Sequence, residues 1–138
     1  MFIYDNDFVD IIVYYKKIKN RYVAYTTSEF DKLGIKTDEG KAKYDKIEIK
    51  MKLLTWGLYN ELQEQALVDI GDGERQFNFK VYKENRLLKL IKEWSAVKDG
   101  KPVPINEKSI SMLAPSIAET ILRSYDEISM IGEEEEGK

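Results

Sequence analysis

Apolar and polar positions change period several times along the chain, and each change predicts an element. "FVDIIVYYKK" and "RYVAYTT", with "KIKN" between them, are rich in β-branched and aromatic residues and predict a β-hairpin or two neighbouring strands. "SEFDKLGIKTDEGKAKYD" predicts a short helical turn and then a polar loop, broken at Gly34 and Gly40. In "KIEIKMKL", Ile47, Ile49, Met51 and Leu53 alternate with Lys46, Glu48, Lys50 and Lys52, the period of a half-buried strand.

Helical spacing follows. In "LTWGLYNELQEQALVDI", Thr55 is placed to cap a helix on which Leu58, Tyr59, Leu62 and Ala66 share a stripe, and "GDG" at 71–73 ends it as a flexible connector. "FKVYKENRLLKLIKEWSA" reads as a second helix. Its Leu87, Leu90, Ile91 and Trp94 stand at i, i+3, i+4 and i+7. A third helix is predicted in "PSIAETILRSYDEISMI", with Pro115 in the first turn and Ile117, Ile121, Tyr125 and Ile128 on one face. Between the second and third lies a change of direction, "EWSAVKDGKPVPIN". Trp94 plugs a helix end, Asp99 and Gly100 make a turn, Pro102 and Pro104 hold the chain extended, and Asn106 caps a small helix.

The expected fold is therefore α+β: an N-terminal β-hairpin and a further strand, packed against a C-terminal bundle of about three helices. A single domain spans 1–132, mainly β over 1–53 and mainly α over 54–132. An acidic disordered tail, "EEEEGK", occupies 133–138.

Composition narrows the chemistry. The chain has 138 residues, no cysteine and no histidine. Thiolate nucleophiles, zinc-thiolate sites and histidine-based acid–base or metal chemistry are excluded within it. Carboxylate-only chemistry survives, with Asp69, Asp72 and Glu74 as candidates. "DIGDGE" does not fit a calcium loop, because Gly71 and Gly73 sit where oxygen ligands are needed. No catalytic residue, cofactor or metal site is expected. No secretory signal and no apolar run of about 18 residues is readable, so a soluble protein is expected, with no membrane partner. Residues 1–52 hold 11 Lys/Arg against 9 Asp/Glu, and residues 53–138 hold 11 against 16. A net charge of −3 gives no electrostatic reason to expect nucleic acid.

Several motifs occur in a telling order. A strand leads into Leu54-Thr55-Trp56-Gly57, a helix ends at Glu93-Trp94, and "DGKPVP" follows as Asp99, Gly100, Lys101, Pro102, Val103 and Pro104. Across about residues 46–131 this succession resembles the tail assembly chaperones of long-tailed bacteriophages and related small tail or baseplate assembly proteins. The resemblance implies a non-enzymatic factor that binds helical segments of tape-measure or tail-tube proteins in the host cytoplasm. It carries no catalytic residue. The alternative is a structural virion protein of the tail, baseplate or neck, with the tyrosine-rich hairpin as an assembly surface. Tyr14, Tyr22, Tyr25, Leu58, Leu62, Ile121 and Tyr125 are the candidate partner-binding residues, and self-association into a homo-oligomer is open.

Overall fold

Side-chain alternation builds the sheet. In the computed structural model, which describes residues 1–129, β1 (Phe8–Ile18) turns through Lys19 and Asn20 and returns as β2 (Arg21–Tyr25). Lys19 takes the left-handed φ of 56° that a tight two-residue turn requires. Two short helices follow, α1 (Thr27–Lys32) and α2 (Asp38–Lys41), and then β3 (Asp45–Lys52). The first begins in a capping box. The Thr26 hydroxyl accepts from the Glu29 N–H, and the Glu29 carboxylate accepts from the Thr26 N–H.

The second half alternates helix and strand. It runs α3 (Trp56–Gln65), β4 (Leu67–Gly71), β5 (Glu74–Phe77), α4 (Phe79–Leu90), β6 (Ile91–Trp94), β7 (Val97–Lys98), β8 (Lys101–Pro102), α5 (Glu107–Ser111) and α6 (Pro115–Ser129). The α+β expectation holds at this level, with an N-terminal sheet and C-terminal helices. Residues 130–138, including the expected tail at 133–138, lie outside the described residues.

One antiparallel sheet of order β2-β1-β3-β6 organises the core. Val9 pairs with Met51, Ile11 with Ile49 and Val13 with Ile47, so the apolar positions of β1 and β3 share one face. That face is buried with Leu87 and Leu90 of α4, Ile110 of α5, and Ile117, Ile121, Leu122 and Tyr125 of α6. Each such side chain contributes roughly 1.5–3 kcal/mol on leaving water. α6 lies against β1 and β2, while α4 packs on both α3 and α5. The helices therefore cover a sheet face.

The opposite face is divided. Asp10, Glu48 and Glu93 are exposed there, as suits an antiparallel sheet solvated on one side. At its other end Tyr14 stacks on Phe30 with ring centroids 4.0 Å apart, and Tyr44 meets Phe30 edge-on at 5.2 Å and Tyr25 at 6.1 Å. This satellite cluster anchors α1 and the chain leading into β3.

Three sequence expectations are corrected. The helix expected to run through Ile70 ends at Gln65, and "GDG" is the tip of the β4–β5 hairpin instead of a flexible connector. Asp72 and Gly73 both take left-handed φ, 54° and 76°, which is the Asp-Gly hairpin turn. The second helix ends at Leu90, and Ile91–Trp94 is a strand paired with β3. Pairing with the otherwise open edge of β3 outweighs the helical spacing, and Ser95 extends it: its N–H donates to the Glu48 carbonyl and its hydroxyl accepts from the Glu48 N–H. Trp94 thus sits on an edge strand, half-buried, with its indole N–H donating to the Val103 carbonyl at 2.7 Å. Ile128, expected on the buried face of α6, is 48% exposed.

The other signals match. Asn106 caps α5 and Pro115 opens α6. Asp99 and Gly100 form the β7–β8 turn with φ of 53° and 77°.

Tyr125 ties the halves together. Its ring is fully buried, and its hydroxyl donates to the Lys52 carbonyl (2.9 Å) and accepts from the Leu54 N–H (3.1 Å). Tyr125→Phe keeps the ring and removes both bonds. It is expected to destabilise the fold by about 1–3 kcal/mol, because two backbone groups lose their partner. Urea unfolding measures the loss, and a midpoint equal to wild type would show that water replaces the hydroxyl.

Candidate interaction site

The end of β3 is where the chain leaves the sheet, and a groove walled by exposed aromatic rings forms there. Leu53 and Leu54 follow the strand, and the Thr55 hydroxyl caps α3 by accepting from the Leu58 N–H at 3.1 Å. The cap sets the helix phase. Leu58 then packs on the core, Leu62 is fully buried, and Trp56 and Tyr59 point away from it. Their rings stack 5.8 Å apart at an interplanar angle of 18°. Trp56 is nevertheless 77% exposed.

The N-terminal segment supplies the facing wall. Tyr4 and Asp7 close a turn, with the Tyr4 N–H donating to the Asp7 carboxylate (2.8 Å) and the Asp7 N–H to the Tyr4 carbonyl (2.9 Å). The Leu53 N–H donates to the Asp7 carbonyl at 3.2 Å, which fastens this turn beside α3. Ile3, Leu53, Leu54, Thr55, Trp56, Tyr59, Tyr125 and Ser129 thereby line a groove of about 440 Å³. Among the described residues no charged side chain lines it, and its volume admits a few large side chains of an incoming segment. Met1, Phe2 and Tyr4 are exposed on the segment that carries Ile3.

The sequence-derived candidates divide sharply. Thr55 and Trp56 line the groove, and Gly57 follows them in the first turn of α3. Trp94, Asp99, Gly100, Lys101, Pro102 and Pro104 gather elsewhere, around the β7–β8 hairpin and the Trp94–Val103 hydrogen bond. Leu62, Ile121 and Tyr125 are fully buried: α6 turns Ile121 and Tyr125 toward the sheet, and Leu62 lies on α3, which packs on α4 and β4. Tyr14 and Tyr25 are consumed by the satellite cluster with Phe30 and Tyr44. Tyr22 keeps an exposed edge, with Lys17 Nζ 5.8 Å from its ring centre. The sequence reading missed Ile3 and the role of Tyr59. The available signal was that Trp56 and Tyr59 stand three apart, a spacing the buried Leu58 and Leu62 do not share.

A second polar feature lies along α6. Arg86 is buried between the rings of Tyr82 and Tyr125, at 5.5 and 5.7 Å, and pairs with Asp126. Lys83 pairs with Glu119 at 2.9 Å, and Arg123 grips Glu29 through two bonds of 2.8 and 2.9 Å. The Arg123 guanidinium, bonded to Glu29, holds that carboxyl below its ordinary value of 4.5. Burial pushes the Tyr125 hydroxyl up, against the pull of the Leu54 N–H. These are opposite charges in matched pairs that fasten α1 and α4 to α6.

Asp69, Asp72 and Glu74 are exposed on the β4–β5 hairpin, and among the described residues no group of three or more acidic side chains could hold a metal ion. Among the same residues no helix is long and apolar enough to cross a membrane. Comparison of the chain with protein-family models, with curated proteins and with solved structures finds no match in any of the three.

Two measurements probe the site and its support. Gly57 lies in the first turn of α3 with open space where a Cβ would stand. Gly57→Ala is expected to stabilise the protein by about 0.5–1 kcal/mol, the ordinary gain for a helical glycine; a lower melting temperature would reveal a constraint on that backbone. For Glu29, a depressed folded-state value means its contribution is present above the unfolded value and is lost as pH falls through the folded one. Glu29→Gln should lower the melting temperature at pH 7, and the difference from wild type should shrink below pH 4.5. A difference constant with pH would assign the effect to the capping box instead.

Proposed function

We propose that this chain is a non-enzymatic assembly factor of bacteriophage tails, which holds helical segments of tape-measure or tail-tube proteins until they polymerise. The observation that carries the reading is the exposed Trp56–Tyr59 stack beside a groove whose described lining is uncharged, on the Leu54-Thr55-Trp56-Gly57 motif that resembles tail assembly chaperones. A large aromatic left in water at a concave apolar site is what helix-in-groove recognition uses. The proposed setting is the host cytoplasm, and no chemical step is assigned to any residue.

The structural-subunit reading would need the tyrosine-rich hairpin free. Packing of Tyr14 and Tyr25 leaves Tyr22 as the exposed member of that set, which weighs against it. Co-expression with the long tail proteins of the source genome, followed by pull-down at low and at roughly 0.5 M salt, separates the two. Retention of a tape-measure or tube protein at both salts is expected, because apolar burial survives screening. No retained tail protein, together with a fixed copy number of this chain in purified particles, would replace the assembly factor with the structural subunit.

A further inference from the structure

The net charge of −3 averages over a segregation that the fold brings to one point. Lys16, Lys17, Lys19 and Arg21 fall within six residues, and no acidic residue occurs between Asp10 and Glu29. All four stand at the tip of the β1–β2 hairpin, where every residue from 17 to 22 is exposed. Among the described residues none of the four forms an ion pair, whereas Lys46, Lys50, Lys83, Arg86 and Arg123 all do.

The tip stands clear of the sheet. β3 begins opposite Tyr15, so the last three residues of β1 pair with β2 alone. At the ordinary rise of a strand this projects the turn by about 10 Å. The hairpin is also held in place: Lys19 has the left-handed φ that its turn requires, and the Tyr22 carbonyl accepts from the Ser116 hydroxyl at 2.8 Å.

Side-chain alternation then divides the cations between two faces. Lys16 lies on one, its Nζ 5.3 Å from the Tyr44 ring centre, and the register puts Arg21 on the same face. Lys17 lies on the other, 5.8 Å from the ring centre of Tyr22. Lys19 is in the turn itself. The register sets Asp45 opposite Tyr15, one residue short of this group, with Lys43 and Lys46 close to it in sequence.

The two-faced arrangement selects among polyanions. A membrane surface meets the end or one face of a ribbon, and Ile18 and Tyr22, 40% and 37% exposed, offer little apolar surface to insert. A peptide strand would add along the edge of β2, where the Ser116 hydroxyl already occupies the Tyr22 carbonyl. A duplex groove carries phosphates on both walls. The major groove of B-form DNA, about 12 Å wide, admits a two-stranded β-ribbon.

We propose that the β1–β2 hairpin tip binds double-stranded DNA without regard to sequence. It enters the major groove with Lys16 and Arg21 toward the phosphates of one wall, Lys17 toward those of the other, and Lys19 leading. The Trp56–Tyr59 groove lies past the opposite end of β1, so this inference does not rest on the assembly-factor reading.

The test uses the full chain and a fluorescent mixed-sequence duplex of about 20 base pairs, two turns of the helix. Anisotropy titrations from about 0.05 M salt upward should give a slope of log affinity against log salt of roughly −3 to −4, that of four phosphate contacts. Lys16, Lys17, Lys19 and Arg21 all changed to Gln should weaken binding roughly tenfold or more with the melting temperature unchanged. Each changed alone should reduce the slope by about one. Lys98→Gln with Lys101→Gln, on the exposed β7–β8 hairpin, and Trp56→Ala should both leave DNA binding intact.

A duplex that does not bind, that binds the fourfold variant equally well, or that is weakened as much by the Lys98 and Lys101 changes would overturn the proposal. Equal affinity for a single strand of the same length would remove the groove from it. Preference for vesicles containing about 30% phosphatidylserine would make the partner a membrane. Preference for a polyglutamate peptide would make it an acidic protein.

Discussion

The hydroxyl of Tyr125 holds the point on which the architecture turns. β3 is central to the sheet, and at Lys52 it must end so that the chain can start a helix in a new direction. The peptide groups at that corner leave the ladder and need partners away from bulk water. Tyr125 supplies both, donating to the Lys52 carbonyl and accepting from the Leu54 N–H, while its ring fills the core beneath α6. Its phenol stays protonated across the ordinary pH range, because burial pushes it upward, so the donor is retained. The same residue borders the groove from beneath its exposed lining. The fold's clamp and the candidate site are thus one place seen from two sides.

That coincidence explains why the exposed aromatics are where they are. Once Tyr125 fixes the corner and Thr55 caps the next helix, the phase of α3 is set. Leu58 and Leu62 face inward and Trp56 and Tyr59 outward. The Asp7–Leu53 hydrogen bond brings the N-terminal segment to the same corner, so that Ile3 completes the groove. The charged network of α6 does a different job. Glu29–Arg123, Lys83–Glu119 and Arg86–Asp126 join α1 and α4 to α6. Arg86 lies between two aromatic faces, a setting that suits a weakly hydrated planar cation.

Much of this was readable from local pattern. β-branched and aromatic content identified β1 and β2, strict alternation identified β3, and short polar caps located Thr55 and Asn106, because these signals arise within a short stretch of chain. Asp99-Gly100 was readable as a turn for the same reason: left-handed backbone is accessible to that pair wherever it occurs. The resemblance to tail assembly chaperones also rests on residues in order along the chain, and three of them, Leu54, Thr55 and Trp56, line the groove.

Sequence alone determined that one face of β3 is apolar, where its neighbouring helices start, and that cysteine and histidine chemistry is absent. Tertiary structure alone decided that Ile91–Trp94 is a strand, because the open edge of β3 offers hydrogen bonds that helical spacing cannot anticipate. It also decided which apolar side chains face outward. Leu62, Ile121 and Tyr125 looked as available as Trp56 in the pattern, yet tertiary packing buries the first three and leaves the last in water. Ile3 joined them only through a hydrogen bond between residues 7 and 53, a contact that no local period records. Periodicity reports that a face is apolar; only the packing of distant segments settles what covers it.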